Sequence, residues 1–175
     1  MLFTDPERTP DPEAAADRLP RGAGVVYRAF GAPDAVARGR RLAAIARRRG
    51  LVLLAGADPE LASRIGADGV HLPERLAARA GAVRRARPGW IVTAAAHGLP
   101  AARRALAAGA DAVVISPAFP SRSPSAGRPL GALRLAALVR GGAFPAYALG
   151  GVSERTAAKL LGTGVVGIAA VAALA

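Results

Sequence analysis

The sequence predicts an α/β protein, a single compact (β/α)8 TIM barrel that covers residues 1–175. Eight short apolar runs alternate with seven Ala-, Leu- and Arg-rich segments whose apolar residues recur at helical spacing. Runs that are apolar on both faces are typical of parallel strands covered by helices. No G-x-G-x-x-G motif follows the first run, which disfavours an open dinucleotide-binding sheet.

Each element of the barrel has its own segment of sequence. The predicted strands are 2–4, 24–28, 51–55, 68–72, 90–94, 111–115, 145–149 and 165–169. The predicted helices are 12–19, 33–49, 58–65, 73–87, 100–108, 130–139 and 153–161. Proline stands where first helical turns should begin, at Pro12, Pro33, Pro73 and Pro100. Glycine ends helices at Gly50, Gly66, Gly109 and Gly162.

The barrel is expected to lack a full eighth helix, because the sequence stops at Ala175 soon after the eighth strand. An apolar groove should then remain between the first and seventh helices. We expect this groove to be covered by another copy of the chain, in a homo-oligomer, or to be filled by local rearrangement.

The charge of the chain invites a nucleic-acid interpretation. Its formal charge is +12, and only one of its 24 basic residues is lysine. The arginines fall mainly in helical segments, where charged residues usually cover the solvent face. An aromatic content of 4% leaves few rings on which bases could stack. We therefore expect no nucleic-acid partner and keep that function as a distant third candidate.

Composition also bears on the compartment. The absence of cysteine excludes a disulfide framework and a thiolate metal site. Residues 1–7 have neither the basic nor the apolar region of a signal peptide, and the apolar run 160–175 is too short and too rich in glycine to span a bilayer. These features predict a cytoplasmic protein without a membrane partner.

Several short motifs carry a family resemblance. They are G-A-D-G-V-H-L at 66–72, A-A-H at 95–97, G-A-D at 109–111, S-P-A-F-P at 116–120 and A-L-G-G-V at 148–152. In this order, along nearly the whole chain, they resemble the motifs of thiamine-phosphate synthases and their TenI relatives. Leu2-Phe3-Thr4-Asp5 is similar to the opening strand of that family.

The resemblance implies a reaction in which a hydroxymethylpyrimidine diphosphate joins a thiazole phosphate and releases pyrophosphate with the help of Mg²⁺. Arg28 matches the diphosphate-binding arginine of the family, but Phe30 stands where a lysine is expected. Gly56 and Ala57 replace an Asn-Asp pair whose Asp binds Mg²⁺, and Leu76 replaces a second metal-binding Asp. Mg²⁺ needs oxygen ligands. We therefore expect no metal site and no cofactor, although the family resemblance alone would imply Mg²⁺.

Further departures fall after the fifth and sixth strands. Ala95 replaces the serine that precedes His97 in the family, and Pro117 occupies the place of the catalytic histidine of the tautomerase branch. The family's Thr-x-Thr-Lys reads Ser121-Arg122-Ser123-Pro124. The residues that the resemblance still assigns to catalysis are Arg28, His97, Ser121 and Ser123.

A phosphate site is predicted beside the last two strands. Gly150 and Gly151 end the seventh strand, and a glycine backbone lets an anion approach exposed N–H groups. Barrels of this class commonly bind phosphate there. Val171 and Ala172 would complete the site, where the family usually has a serine. In the alternative interpretation, the glycines only make a tight turn before the next helix.

The remaining pocket residues are predicted to be Asp5, His71, Ser116 and Arg122. Asp5 ends the first strand and suits acid–base work or a metal, or a simple turn before Pro6. His71 is either a hydrogen-bonded interior histidine or a catalyst. Asp68 and Asp111 begin strands at the opposite face, where residues serve stability.

The function predicted from these observations is that of a thiamine-phosphate synthase or TenI-like protein of thiamine biosynthesis. It would bind a thiazole phosphate or thiamine phosphate type of ligand at the mouth of the barrel, with weak or altered synthase chemistry. The alternative is a non-catalytic binder of a small phosphorylated metabolite.

Overall fold

The computed structural model describes residues 1–121 and 127–171. Eight parallel strands follow one another in sequence order around a single sheet. They are β1 (Leu2–Phe3), β2 (Gly24–Tyr27), β3 (Val52–Gly56), β4 (Gly69–Leu72), β5 (Ile91–Ala96), β6 (Ala112–Ile115), β7 (Ala146–Leu149) and β8 (Gly167–Ala169). The Phe3 N–H donates to the Ala170 carbonyl at 2.9 Å, and the Ala170 N–H donates to the Met1 carbonyl at 3.0 Å. These bonds close the sheet into the predicted barrel.

Helical segments connect the strands in the described ranges. They are α1 (Pro12–Asp17), α2 (Ala35–Arg49), α3 (Pro59–Ile65), α4 (Ala80–Ala86), α5 (Leu99–Ala107), α6 (Gly131–Gly142) and α7 (Glu154–Ala157). A 3₁₀ helix, Glu74–Arg79, precedes α4, and another, Ala158–Leu160, extends α7. None of these helices is long and apolar enough to cross a membrane.

Strand alternation divides the apolar residues into two layers. Phe3, Val26, Leu54, Val114 and Ala169 form one buried cluster inside the barrel. The residues next to them along the strands point outward and belong to a larger cluster shared with the helices. Each strand is therefore buried on both faces, which is why the strands read as continuous apolar runs.

Helix boundaries follow local chemistry. The carboxylates of Asp11 and Asp58 cap α1 and α3, accepting from the N–H groups of Ala14 and Leu61 at 2.8 Å. Pro12 and Pro59 begin these two helices. Gly50, with a φ of 65°, ends α2 in the left-handed conformation that favours glycine.

Several predicted elements differ from the structure in their bounds or in their continuity, three of them at the starts or middles of helices. α2 begins at Ala35 rather than at residue 33. The segment predicted as one helix over 73–87 is divided between a 3₁₀ helix and α4, and the segment 153–161 forms only α7 and one 3₁₀ turn. Alanine-rich periodicity does not distinguish these states, because the packing of a short segment decides between them.

The groove predicted between the first and seventh helices is not open at its centre. Leu2 and Ala170 face outward from the joined ends of the sheet, yet their exposed fractions are only 0% and 4%. Both lie in the same apolar cluster as Ala15 and Ala16 of α1. Because these residues are already buried within one chain, the groove gives less reason to expect a second copy of the chain. The homo-oligomer stays a prediction.

Candidate functional site

The carboxyl ends of the strands bring most of the predicted site residues to one face of the barrel. Asp5 and Arg28 follow β1 and β2, and His97 follows β5. Gly150 and Gly151 follow β7. This face is where (β/α)8 barrels place their ligand sites.

Asp5 lies between two arginines. Its Oδ2 accepts from a terminal nitrogen of Arg8 at 2.8 Å and from one of Arg28 at 3.1 Å. Its Oδ1 accepts from the backbone N–H groups of Glu7 and Arg8, each at 3.2 Å. The hydrogen bond from Arg8 is the main cause that lowers the pKa of Asp5 to about 2. At neutral pH, Asp5 is therefore a carboxylate that orients two cations and has no proton to donate.

Hydrogen bonds and two aromatic rings hold the guanidinium of Arg28 in place. Its Nε donates to the Thr4 carbonyl at 2.6 Å. Its Cζ lies 5.8 Å from the ring centroid of Phe3 and 5.1 Å from that of Phe30. Burial lowers the pKa of Arg28 from its ordinary value. The side chain is thus fixed before any ligand arrives.

A cavity of about 510 Å³ opens beside the ends of β7 and β8, lined by Gly150, Gly151, Val171 and Ser121 among others. Arg8 also lines this cavity and brings a positive charge to it. The structure brings three of the four predicted phosphate-binding residues together, and the fourth, Ala172, lies outside the described residues.

Both glycines are also required by the neighbouring loop. Gly150 and Gly151 have φ values of 94° and 63°. A Cβ atom on Gly150 would lie 2.9 Å from the Cα of Pro117, and one on Gly151 would overlap the carbonyl oxygen of Pro120. The alternative interpretation, a tight turn, therefore holds alongside the cavity-lining role.

His71 is an interior residue. Its Nδ1 lies 2.9 Å from the hydroxyl oxygen of Thr93, and its ring meets the ring of Phe3 edge to face at 4.9 Å. Burial, with a smaller contribution from the charge of Arg28, lowers the pKa of His71 to about 3. The imidazole is therefore neutral at physiological pH, and this geometry is that of the hydrogen-bonded interior histidine.

His97 pairs with a carboxylate that the sequence analysis missed. Oε2 of Glu74 lies 2.7 Å from Nδ1 of His97 and accepts from the His97 backbone N–H at 2.9 Å. The hydrogen bond from His97 lowers the pKa of Glu74. Arg104 stands 3.9 Å from Oε1. Glu74 lies two residues after the end of β4, so its position near a strand end was the signal that could have identified it.

The loop after β6 holds the remaining candidates. Ser116 follows that strand, and its N–H donates to the Ala96 carbonyl at 3.1 Å. Ser121 lines the cavity. Arg122 and Ser123 lie outside the described residues.

The donors at this face do not fit a magnesium ion. In the described ranges, no group of three or more His, Cys, Asp or Glu side chains could hold a metal. Asp5 is already bound by two arginines, and Glu74 is bound by His97. Gly56, the last residue of β3, and Ala57 offer no side-chain oxygen.

The fold and this face define a (β/α)8 barrel with a cationic, glycine-lined cavity at its carboxyl end. Residues 1–174 match the family described as thiamine monophosphate synthase, TMP-TENI, and the chain belongs to that family, which acts in thiamine biosynthesis.

Individual relatives agree with this assignment. A thiamine-phosphate synthase of Methylococcus capsulatus is 36% identical over 169 residues, which cover 92% of this chain and 74% of that protein. A thiamine phosphate pyrophosphorylase from Pyrococcus furiosus superposes with a TM-score of 0.82 at 25% identity, over 97% of this chain and 83% of that one. A relative from Geobacter sulfurreducens is 35% identical over 128 residues, and the chain spans only 60% of its length.

Proposed function

We propose that this protein binds a thiazole phosphate or thiamine phosphate type of ligand at the carboxyl mouth of the barrel, with weak or altered synthase chemistry. The observation that carries the proposal is the position of Arg8, fixed by Asp5 at the edge of the cavity that Gly150 and Gly151 line. A guanidinium matches the geometry of a phosphate, and glycine N–H groups add neutral donors.

The phosphate contact is tested by Arg8→Gln. Losing a charge-assisted hydrogen bond of about 1.5–3 kcal/mol should weaken the binding of thiamine phosphate about tenfold to a hundredfold, measured by calorimetry. Thiamine, which lacks the phosphate, should bind the two proteins alike. Arg134→Gln, on the exposed side of α6, is the matched control. Equal losses for thiamine and thiamine phosphate would remove phosphate from the proposal. Gly151 is unsuitable for this test because any Cβ there disturbs the Pro120 loop.

Weak synthase chemistry follows from the charges at the mouth. In the synthase reaction, a carbon–nitrogen bond forms between the pyrimidinylmethyl carbon and the thiazole nitrogen. The carbon–oxygen bond to the diphosphate breaks, and pyrophosphate leaves with the electron pair. That developing charge needs cations. Arg28 and Arg8 are two such cations, and Asp5 offsets one of their charges.

The chemistry is tested by supplying the pyrimidine diphosphate and the thiazole phosphate and measuring thiamine phosphate. We expect slow formation that changes little when Mg²⁺ is chelated and that is lost in Arg28→Gln. Efficient, Mg²⁺-dependent turnover would contradict the altered chemistry.

A non-catalytic binder is the second candidate. The hydrogen bonds that Asp5 and Glu74 already make favour this candidate, because a metal ion would have to displace those partners. Thiamine phosphate binding without any product formation would select this candidate over the first.

A further inference from the structure

Phe30 is a large apolar side chain held in solvent at the mouth of the barrel. It follows β2, and 66% of the residue is exposed. Exposed phenylalanine is unfavourable in water unless something covers it. Single exposed apolar residues are common at protein surfaces, and Leu133 and Leu161 are exposed even further. What distinguishes Phe30 is its backbone conformation and its contact with Arg28.

The backbone at Phe30 adopts a conformation that bulky residues rarely take. Its φ is 48°, and the φ of the next residue, Gly31, is 76°. The Ala32 N–H donates to the Ala29 carbonyl at 2.9 Å, which closes a tight turn around the two. Glycine or asparagine would suit the left-handed position better. The loop thus tolerates local strain and places a ring where a smaller residue would fit more easily.

The ring contacts Arg28. The Cζ of Arg28 lies 5.1 Å from the Phe30 centroid, and Phe3 covers the guanidinium at 5.8 Å. Asp5 connects this stack to Arg8, because its Oδ2 accepts from both arginines. A continuous set of contacts therefore runs from the exposed ring of Phe30 to the cation at the glycine-lined cavity.

We propose that Phe30 is a stacking platform for the aromatic ring of the ligand and so raises the affinity for phosphorylated ligands that carry such a ring. This inference rests on the proposed function, which places the phosphate of the ligand at the Arg8 cavity. Ring stacking on the exposed surface of Phe30 would cover the apolar side chain that solvent now touches.

The experiment compares two monophosphates, thiamine phosphate and glycerol 3-phosphate, by calorimetry on the full chain. Phe30→Leu keeps an apolar side chain but removes the ring, and it should weaken thiamine phosphate binding about threefold to tenfold. The same variant should leave glycerol 3-phosphate binding unchanged. Phe30→Trp, which keeps a ring, should bind thiamine phosphate at least as tightly as the unmodified chain. Leu161→Ala, an exposed apolar residue at the opposite end of the barrel, is the control and should alter neither affinity.

The outcomes separate the platform from the phosphate site. Equal weakening of both ligands in Phe30→Leu would mean that Phe30 acts only through Arg28, and no weakening of either would mean that the ring is idle. Each result would overturn the platform and leave the phosphate site standing. Failure of the unmodified chain to bind either monophosphate would instead refute the proposed function, and this inference with it.

Discussion

His71 shows how one buried residue can couple the barrel interior to pH. Its imidazole touches Phe3, bonds Thr93 and lies near the charge of Arg28, so the interior favours the neutral ring. The pKa of His71 is lowered to about 3, against an ordinary value of 6.5. The unfolded chain therefore binds a proton at a higher pH than the folded chain does.

We expect this difference to make the protein less stable in acid. Above pH 6.5 the imidazole is neutral in both states and the stability is fully present. As the pH falls from 6.5 towards 3, only the unfolded state gains the proton, which lowers the free energy of unfolding by up to about 1.4 kcal/mol per pH unit. In His71→Gln, urea unfolding between pH 7 and pH 4 should lack this slope, and parallel curves for the two proteins would contradict the assignment.

At the scale of the elements, the same hydrogen bond occurs at the starts of two strands, where an aspartate carboxylate accepts from a backbone N–H of the neighbouring strand. Oδ2 of Asp68, just before β4, accepts from the Leu53 N–H of β3 at 2.8 Å. Oδ2 of Asp111, just before β6, accepts from the Val92 N–H of β5 at 2.8 Å. Both carboxylates lie at the amino ends of the strands, away from the candidate site. This geometry agrees with the structural role predicted for them.

Replacing Asp68 by alanine should destabilise the barrel without affecting its mouth. The Leu53 N–H would lose its acceptor within the barrel wall, at a cost of roughly 1–3 kcal/mol. Asp34→Ala, which removes an exposed ion pair with Arg38, should cost at most about 1 kcal/mol. Urea unfolding gives the comparison. A loss of thiamine phosphate affinity in the folded Asp68 variant would argue against a purely structural role.

The elements also show what the sequence could and could not predict. The strands were predictable because burial on both faces leaves a continuous apolar run, as in β3 and β6. The glycines after β7 were found because (β/α)8 barrels commonly bind phosphate beside their last strands. Arg28 was found from the family resemblance. Arg8 was not found, because the turn that Asp5 stabilises decides where its side chain lies. The pair of Glu74 and His97 was not found either, because the two residues come from separate loops. The roles of Arg122, Ser123 and Ala172 stay predictions.

At the scale of the whole molecule, the barrel has an inner and an outer apolar layer that meet along every strand. Leu53 and Leu54 are neighbours on β3, each only 1% exposed. Leu53 faces the helices and Leu54 faces the barrel interior. Below Leu54, a cavity of about 790 Å³ opens at the amino ends of the strands, where Trp90 and Tyr147 also line it. Replacing each leucine in turn therefore tests the outer and the inner apolar layer separately at the same strand.

We expect Leu53→Ala and Leu54→Ala each to lower the free energy of unfolding by about 2–5 kcal/mol, because each removes buried apolar volume that its surroundings refill only in part. If residues 1–175 fold as a single domain, both variants should also unfold in one cooperative transition. The fluorescence of Trp90, the single tryptophan, reports on the start of β5, and far-ultraviolet circular dichroism reports on all the helices. The two signals should share one urea midpoint in each variant. Separate midpoints in Leu54→Ala but not in Leu53→Ala would mean that the barrel interior melts apart from the helical layer, contrary to a single domain.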